Sequence, residues 1–199
     1  MNNNISEKYR KYLIKVFLSS GEYLTVSGID PQIGDDDVFL SDNKKVLLFS
    51  SLEELKIYLC DLNNDQIFDS NIIRKWIKEL DNKEPYAEYN FIDQERVLKK
   101  WSNSPEINET NNQELKGFLD VMGFAQDLMN QFSNEEIKTI LELEEIDKFY
   151  DSLYDSCVWI SDDTFKLSRD LSNNLKSDFL AGKLKDLLRE ISLMFLIVK

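Results

Sequence analysis

Histidine is missing altogether from this chain of 199 residues. Its absence removes the commonest general base and the commonest metal ligand, so Ser-His and Cys-His dyads and His-based zinc sites are excluded. Proline and glycine are sparse, at three and six residues, which argues against a linker-rich or disordered chain and for long, continuous elements. Cys60 and Cys157 are far apart, with no second cysteine near either. Each closes an apolar helical pattern and is expected to be reduced and buried as a small hydrophobe. The missing secretion signal at Met1–Ile5 argues against a disulfide between them, without excluding one, and points to the cytoplasm. No apolar run approaches the ~20 residues that span a bilayer. The longest, Ile191–Val198, predicts a buried final helix turn or strand. Also absent are a dinucleotide-binding glycine fingerprint, a phosphate-binding loop and an esterase nucleophile elbow.

Positive charge is short as well. Asp and Glu number 37 against 24 Lys and Arg, a formal charge of −13. With 42% hydrophobic and 12% aromatic residues, the chain has ample material for a core, and residues 1–199 are read as a single α+β domain.

Tyr12–Leu18 and Glu22–Val26 are β-rich runs separated by Ser19-Ser-Gly21, a hairpin pattern. After the turn-rich Gly28–Asp37, two shorter runs follow, Val38–Leu40 and Val46–Phe49, joined by Ser41–Lys45. Together they predict a small antiparallel sheet of about four strands. Ser51-Leu-Glu-Glu54 has the spacing of a capping box, and Leu52, Leu55, Tyr58 and Leu59 then share a helical face. Residues 1–60 are thus strand-rich and closed by a first helix.

From Asp69 onward the period is helical. Ile72, Ile73, Trp76, Ile77 and Leu80 form one stripe, and Ile92, Glu95, Leu98 and Trp101 a shorter one. The polar segment 102–112 is the expected loop, and any internal boundary is expected there. Leu115, Phe118, Leu119, Met122, Ala125, Met129 and Phe132 line a long helix. Ser133-Asn-Glu-Glu136 starts a further helix predicted to run from about Asn134 to the Tyr154 region. A last helix carries Leu180, Leu184, Leu187, Leu188 and Ile191.

The acid excess is concentrated. Residues 1–100 have a net charge of −4 and residues 101–199 a net charge of −9. Between Ser133 and Asp163, ten acidic residues face only Lys138 and Lys148. A solvated helix face is the plain explanation. Like charges at three- and four-residue spacing repel, however, so this density opposes helix stability unless a cation compensates. An acidic surface also captures basic partners rapidly. The expected partner-binding segment is Glu142, Glu144, Glu145, Asp147, Asp151, Tyr154, Asp155, Trp159, Asp162 and Asp163, the aromatics supplying desolvated contacts inside a charged rim. Tyr150 is expected to pack on the core. Direct nucleic-acid binding is not expected, because Lys44-Lys45 and Lys99-Lys100 are the nearest approach to a basic cluster.

Carboxylate chemistry remains open to such a chain. Asp35-Asp-Asp37, with Asp30 and Asp42 nearby, could hold a hard cation, although the alternation and distal Glu of a calcium loop are missing. The triplets Glu54-Leu-Lys56, Glu114-Leu-Lys116 and Glu136-Ile-Lys138 also occur in metal-dependent nucleases, where they lie on strands; here each falls on a predicted helix. No catalytic residue, metal site or cofactor is assigned.

Gly21–Pro31, Asp37–Leu55 and the Phe118–Leu128 helix together resemble bacterial immunity proteins of contact-dependent and polymorphic toxin systems. That resemblance implies a small, acidic, cytoplasmic protein that binds a cognate toxin domain, expected to be basic, and blocks its active site. It covers roughly a third of the chain and transfers no individual binding residue. The expectation is therefore a non-enzymatic toxin inhibitor. A metal-dependent hydrolase or an intracellular adaptor stand as alternatives.

Overall fold

The computed structural model describes residues 5–29, 37–61, 70–80, 87–103, 112–158 and 178–198. They fall into two compact units, Met1–Tyr89 with Met194–Lys199, and Asn90–Leu193. The second unit is an insertion in the sequence of the first. The division falls at these points rather than in segment 102–112. The class is α+β, as expected, with the strands gathered in the first unit.

In the first unit, β1 (Lys11–Leu18) and β2 (Gly21–Ile29) form the anticipated hairpin, with Leu18 opposite Gly21. β3 (Asp37–Phe39) adds to β2, and β6 (Ala87–Asn90) adds to β1. A second, mixed sheet has the order β4 (Ser41–Asp42), β5 (Lys45–Leu48), β7 (Phe195–Ile197). β4 and β5 are antiparallel, and β5 and β7 are parallel. Asn43 and Lys44 both have positive φ, 49° and 60°, the conformation that joins tightly twisted two-residue hairpins.

The early strands therefore do not make one four-stranded sheet. Leu40 divides them: its amide donates to Val26 at 2.8 Å and its carbonyl accepts from Leu47 at 2.9 Å. Val46–Leu48 consequently belongs to the second sheet, and β6 supplies the fourth strand of the first. At four residues, β6 is too short to show an alternation.

α1 (Ile5–Tyr9), α2 (Leu52–Asp61) and α3 (Ser70–Glu79) complete this unit. Ser51 Oγ accepts from the Glu54 amide at 3.1 Å, and the Glu54 carboxylate accepts from the Ser50 amide at 3.0 Å. Leu55, Leu59, Ile73, Trp76 and Ile77 then pack with Leu13, Val26 and Phe49 in one core. Cys60 does not join it; Leu59 takes the buried place at the end of α2, and the Cys60 thiol is free and exposed.

The second unit is helical: α4 (Phe91–Asn103), α5 (Asn112–Phe132), α6 (Glu135–Leu141), α7 (Glu144–Val158) and α8 (Asp178–Leu193). Asn90 caps α4, its Oδ1 accepting from the Asp93 amide at 3.0 Å. Phe91 packs edge-on to Phe124 at 5.7 Å between ring centroids. This anchor sets the buried stripe of α4 as Phe91, Gln94, Val97 and Leu98. The expected stripe through Ile92 and Glu95 is thus out of phase, with Glu95 exposed.

The helix expected from Asn134 to Tyr154 is two helices. Asn134, not Ser133, is the cap of α6, its Oδ1 accepting from the Ile137 amide at 2.8 Å. α6 ends at Leu141, and the chain turns at Glu142. An uninterrupted helix continuing Ile137 and Ile140 would next bury Glu144; the break instead turns Ile146, Phe149 and Leu153 inward.

The Ile191–Val198 run was expected to be buried, and only part of it is. Ile191 and Met194 are buried, whereas Leu193, Leu196 and Ile197 are exposed.

Candidate partner-binding face

α7 owes its orientation to the apolar side chains on its inner side. Ile146, Phe149 and Leu153 are fully buried, and Phe149 meets Phe118 of α5 edge-on at 6.2 Å. At about 3.6 residues per turn, that inward stripe sends Glu144, Asp147, Asp151 and Asp155 to the opposite side, where all four are exposed. Glu145 is exposed beside them, and Glu142 is exposed in the turn before the helix. The structure thus brings together six of the expected acids along one helix and the turn that precedes it. Trp159, Asp162 and Asp163 lie outside the described residues.

Tyr154 stands next to this stripe with 43% of its surface exposed. Tyr150, expected in the core, is only partly buried and stacks obliquely against Tyr154, ring centroids 6.4 Å apart. The four-residue spacing that pairs them is visible in the sequence. The result is an acid row with an aromatic pair along one flank.

The charges are thinly compensated. Among the described residues, Glu144 alone of these six acids forms an ion pair, with Lys148 one turn later. Glu144 is 77% exposed; the Lys148 hydrogen bond, and then its charge, hold the Glu144 carboxyl below its ordinary range, while Glu144 raises the Lys148 ammonium.

Position along the helix separates acids with a structural use from those without one. Glu144, Glu145 and Asp147 lie in the first turn, where negative charge complements the helix dipole. Asp155 lies in the last turn, where the dipole disfavours it and no basic residue is present, and Asp151 lies mid-helix, one turn from both Asp147 and Asp155, where like charges repel. Their presence is unfavourable for α7 alone.

The other sequence motifs do not converge on a site. Asp37 opens β3 and is exposed, while Asp30, Asp35 and Asp36 lie outside the described residues. Among the described residues no three of His, Cys, Asp and Glu gather as a metal site. The three Glu-x-Lys triplets lie on α2, α5 and α6. Among the described residues no helix is long and apolar enough to cross a membrane.

No family model matches the chain, and no curated protein matches it. Among solved structures, the crystal structure of the SatS C-terminal domain in complex with bromine is similar over 99% of this chain and 98% of that one, with a TM-score of 0.66 and 12% sequence identity. At that identity the likeness is one of fold.

Proposed function

We propose that this chain is a cytoplasmic immunity protein that binds a basic toxin domain through the outer face of α7 and blocks it. The observation that carries the reading is the placement of Asp151 and Asp155. Both are exposed, neither has a cation among the described residues, Asp155 opposes the helix dipole, Asp151 is repelled by the acids one turn to either side, and an aromatic pair flanks them. A basic partner removes the repulsion, and Tyr154 supplies an apolar anchor at the edge of the charged row. Glu144, Asp147 and Glu145 extend the same field and steer the encounter.

The experiment is retention of partners from the native source on tagged protein at low and moderate salt, with the Asp151→Lys/Asp155→Lys chain in parallel. The expected result is one basic toxin domain, retained less as salt rises, inhibited stoichiometrically by the wild-type chain and bound at least about tenfold more weakly by the variant. Unchanged affinity in that variant, or a retained protein whose activity the chain does not inhibit, overturns the proposal.

A further inference from the structure

The edge of β5 that β7 covers is buried ground. Val46 and Leu48 are fully buried, and their backbone groups on this side are the ones β7 meets. The Val46 amide donates to the Met194 carbonyl at 2.8 Å, and the Leu48 carbonyl accepts from the Val198 amide at 2.9 Å. The opposite edge of β5 is already engaged by β4 and by the Leu40 carbonyl. Without β7, buried donors and acceptors would lose their partners, so this edge requires a strand.

The strand that fills it has an unusual connection. β7 is three residues long, and a single residue, Met194, separates it from α8. Its register sets Phe195 opposite Val46 and Ile197 opposite Leu48, in parallel. Among the described residues six large hydrophobic side chains are exposed, and three of them, Leu193, Leu196 and Ile197, fall in this one run. A short hinge invites exchange of the element beyond it between copies, because each hydrogen bond made within one chain is made again between two. Covering the exposed Leu193, Leu196 and Ile197 would favour the exchanged form.

We propose that the β5 edge is a strand-acceptor site that a second copy of this chain occupies, residues 194–198 of each copy replacing those of the other. The occupant is fixed by what the edge already holds: Met194 is buried, and Val198 packs against the core that contains Leu47 and Phe49. Only the same segment reproduces that fit and the register together. The inference is independent of the acid face of α7.

The test unfolds a mixture of isotopically heavy and light full chains and refolds it at high and at about hundredfold lower concentration. Native mass spectrometry and amide exchange then follow the products. Mixed heavy–light dimers are expected from the concentrated refold alone, with the Val46 and Val198 amides protected as in the monomer. Inserting Gly-Ser-Gly between Leu193 and Met194 relaxes the hinge, and is expected to leave the monomer folded and to lower the dimer yield about tenfold. A chain that stays monomeric at every concentration overturns the proposal. So does a dimer that forms equally well in the insertion variant, since the copies then meet through another surface, or one whose Val46 and Val198 amides exchange freely, since the β5 edge is then unfilled.

Discussion

The side-chain amide of Gln94 occupies the space that a Cβ on Gly117 would need. Gln94 is 4% exposed, and its Oε1 has no hydrogen-bond partner among the described residues. α4 and α5 thus approach closely where one contributes a glycine and the other a buried amide. Gly117→Ala alone is expected to destabilise the protein by about 1–2 kcal/mol, because the amide is confined. In a Gln94→Ala background the same change is expected to stabilise by about 1 kcal/mol through helix propensity. Denaturant midpoints of the four chains measure the coupling; simple additivity would show that the two residues do not compete for space.

Gly28 is tighter, because backbone rather than a side-chain tip is in the way. It pairs with Lys11 across the hairpin, and an added Cβ would run into the Arg10 carbonyl and come within 2.8 Å of Lys11 Cδ. Lys11 is itself buried, with its ammonium donating to the Ile29 and Arg10 carbonyls. Gly28→Ala is expected to destabilise by about 3 kcal/mol, beyond the effect of Gly117→Ala. Thermal and urea unfolding check the order of the two.

Glu79 gives the first unit a pH dependence of known sign. Its carboxylate accepts from Lys8 Nζ at 2.8 Å and from the Tyr9 hydroxyl at 2.6 Å. These hydrogen bonds, Lys8 first, hold its carboxyl below the usual range. A carboxyl depressed in the folded state adds stability that is present at neutral pH and lost as pH falls from the ordinary carboxylate value through the depressed one. Lys8 and Glu79 are both exposed, so solvent screening keeps the effect small. The midpoint difference between wild type and Glu79→Gln is expected at neutral pH and should vanish in acid, once the carboxyl is protonated in the folded chain. A difference that persists there would place the effect elsewhere.

Reversing Asp151 and Asp155 to Lys is expected to raise stability, by about 0.5–1 kcal/mol, since Asp155→Lys suits the carboxyl end of α7 and both changes thin its like charges. The same double variant is the one expected to lose the partner. If it is instead less stable than wild type, those acids have a structural role and the docking face loses its main support. Calorimetric melting temperatures at low ionic strength, where the effect is largest, settle the sign.

The hairpin, the capped α2 and the buried stripes of α3 and α8 were legible because each depends on neighbours in the sequence. Ser51 and Glu54, for example, are three residues apart and meet directly. β6 was not legible, being too short for a pattern, and β7 was legible only as one of two readings, helix turn or strand, of the apolar run it shares with α8. Cys60 was misjudged because the end of an apolar pattern does not say which of two adjacent residues turns inward, and Leu59 does. On α7, the acids could be read as a row from spacing alone. Tyr150 could not, since an aromatic at the border of a buried stripe fits the core or the surface equally well, and the oblique packing on Tyr154 decided it.

The pairing of Val46 with Phe195 also orders events at the ribosome. Every residue of the second unit is made between those two positions, so the first unit cannot be finished until the second has been synthesised. At roughly 5–20 residues per second, β5 spends on the order of 10 seconds or more with one edge unfilled. Within the inserted unit α4 to α7 are made well ahead of Phe195, whereas α8 is finished only two residues before it, so the last helix of the second unit and the last strand of the first become available together.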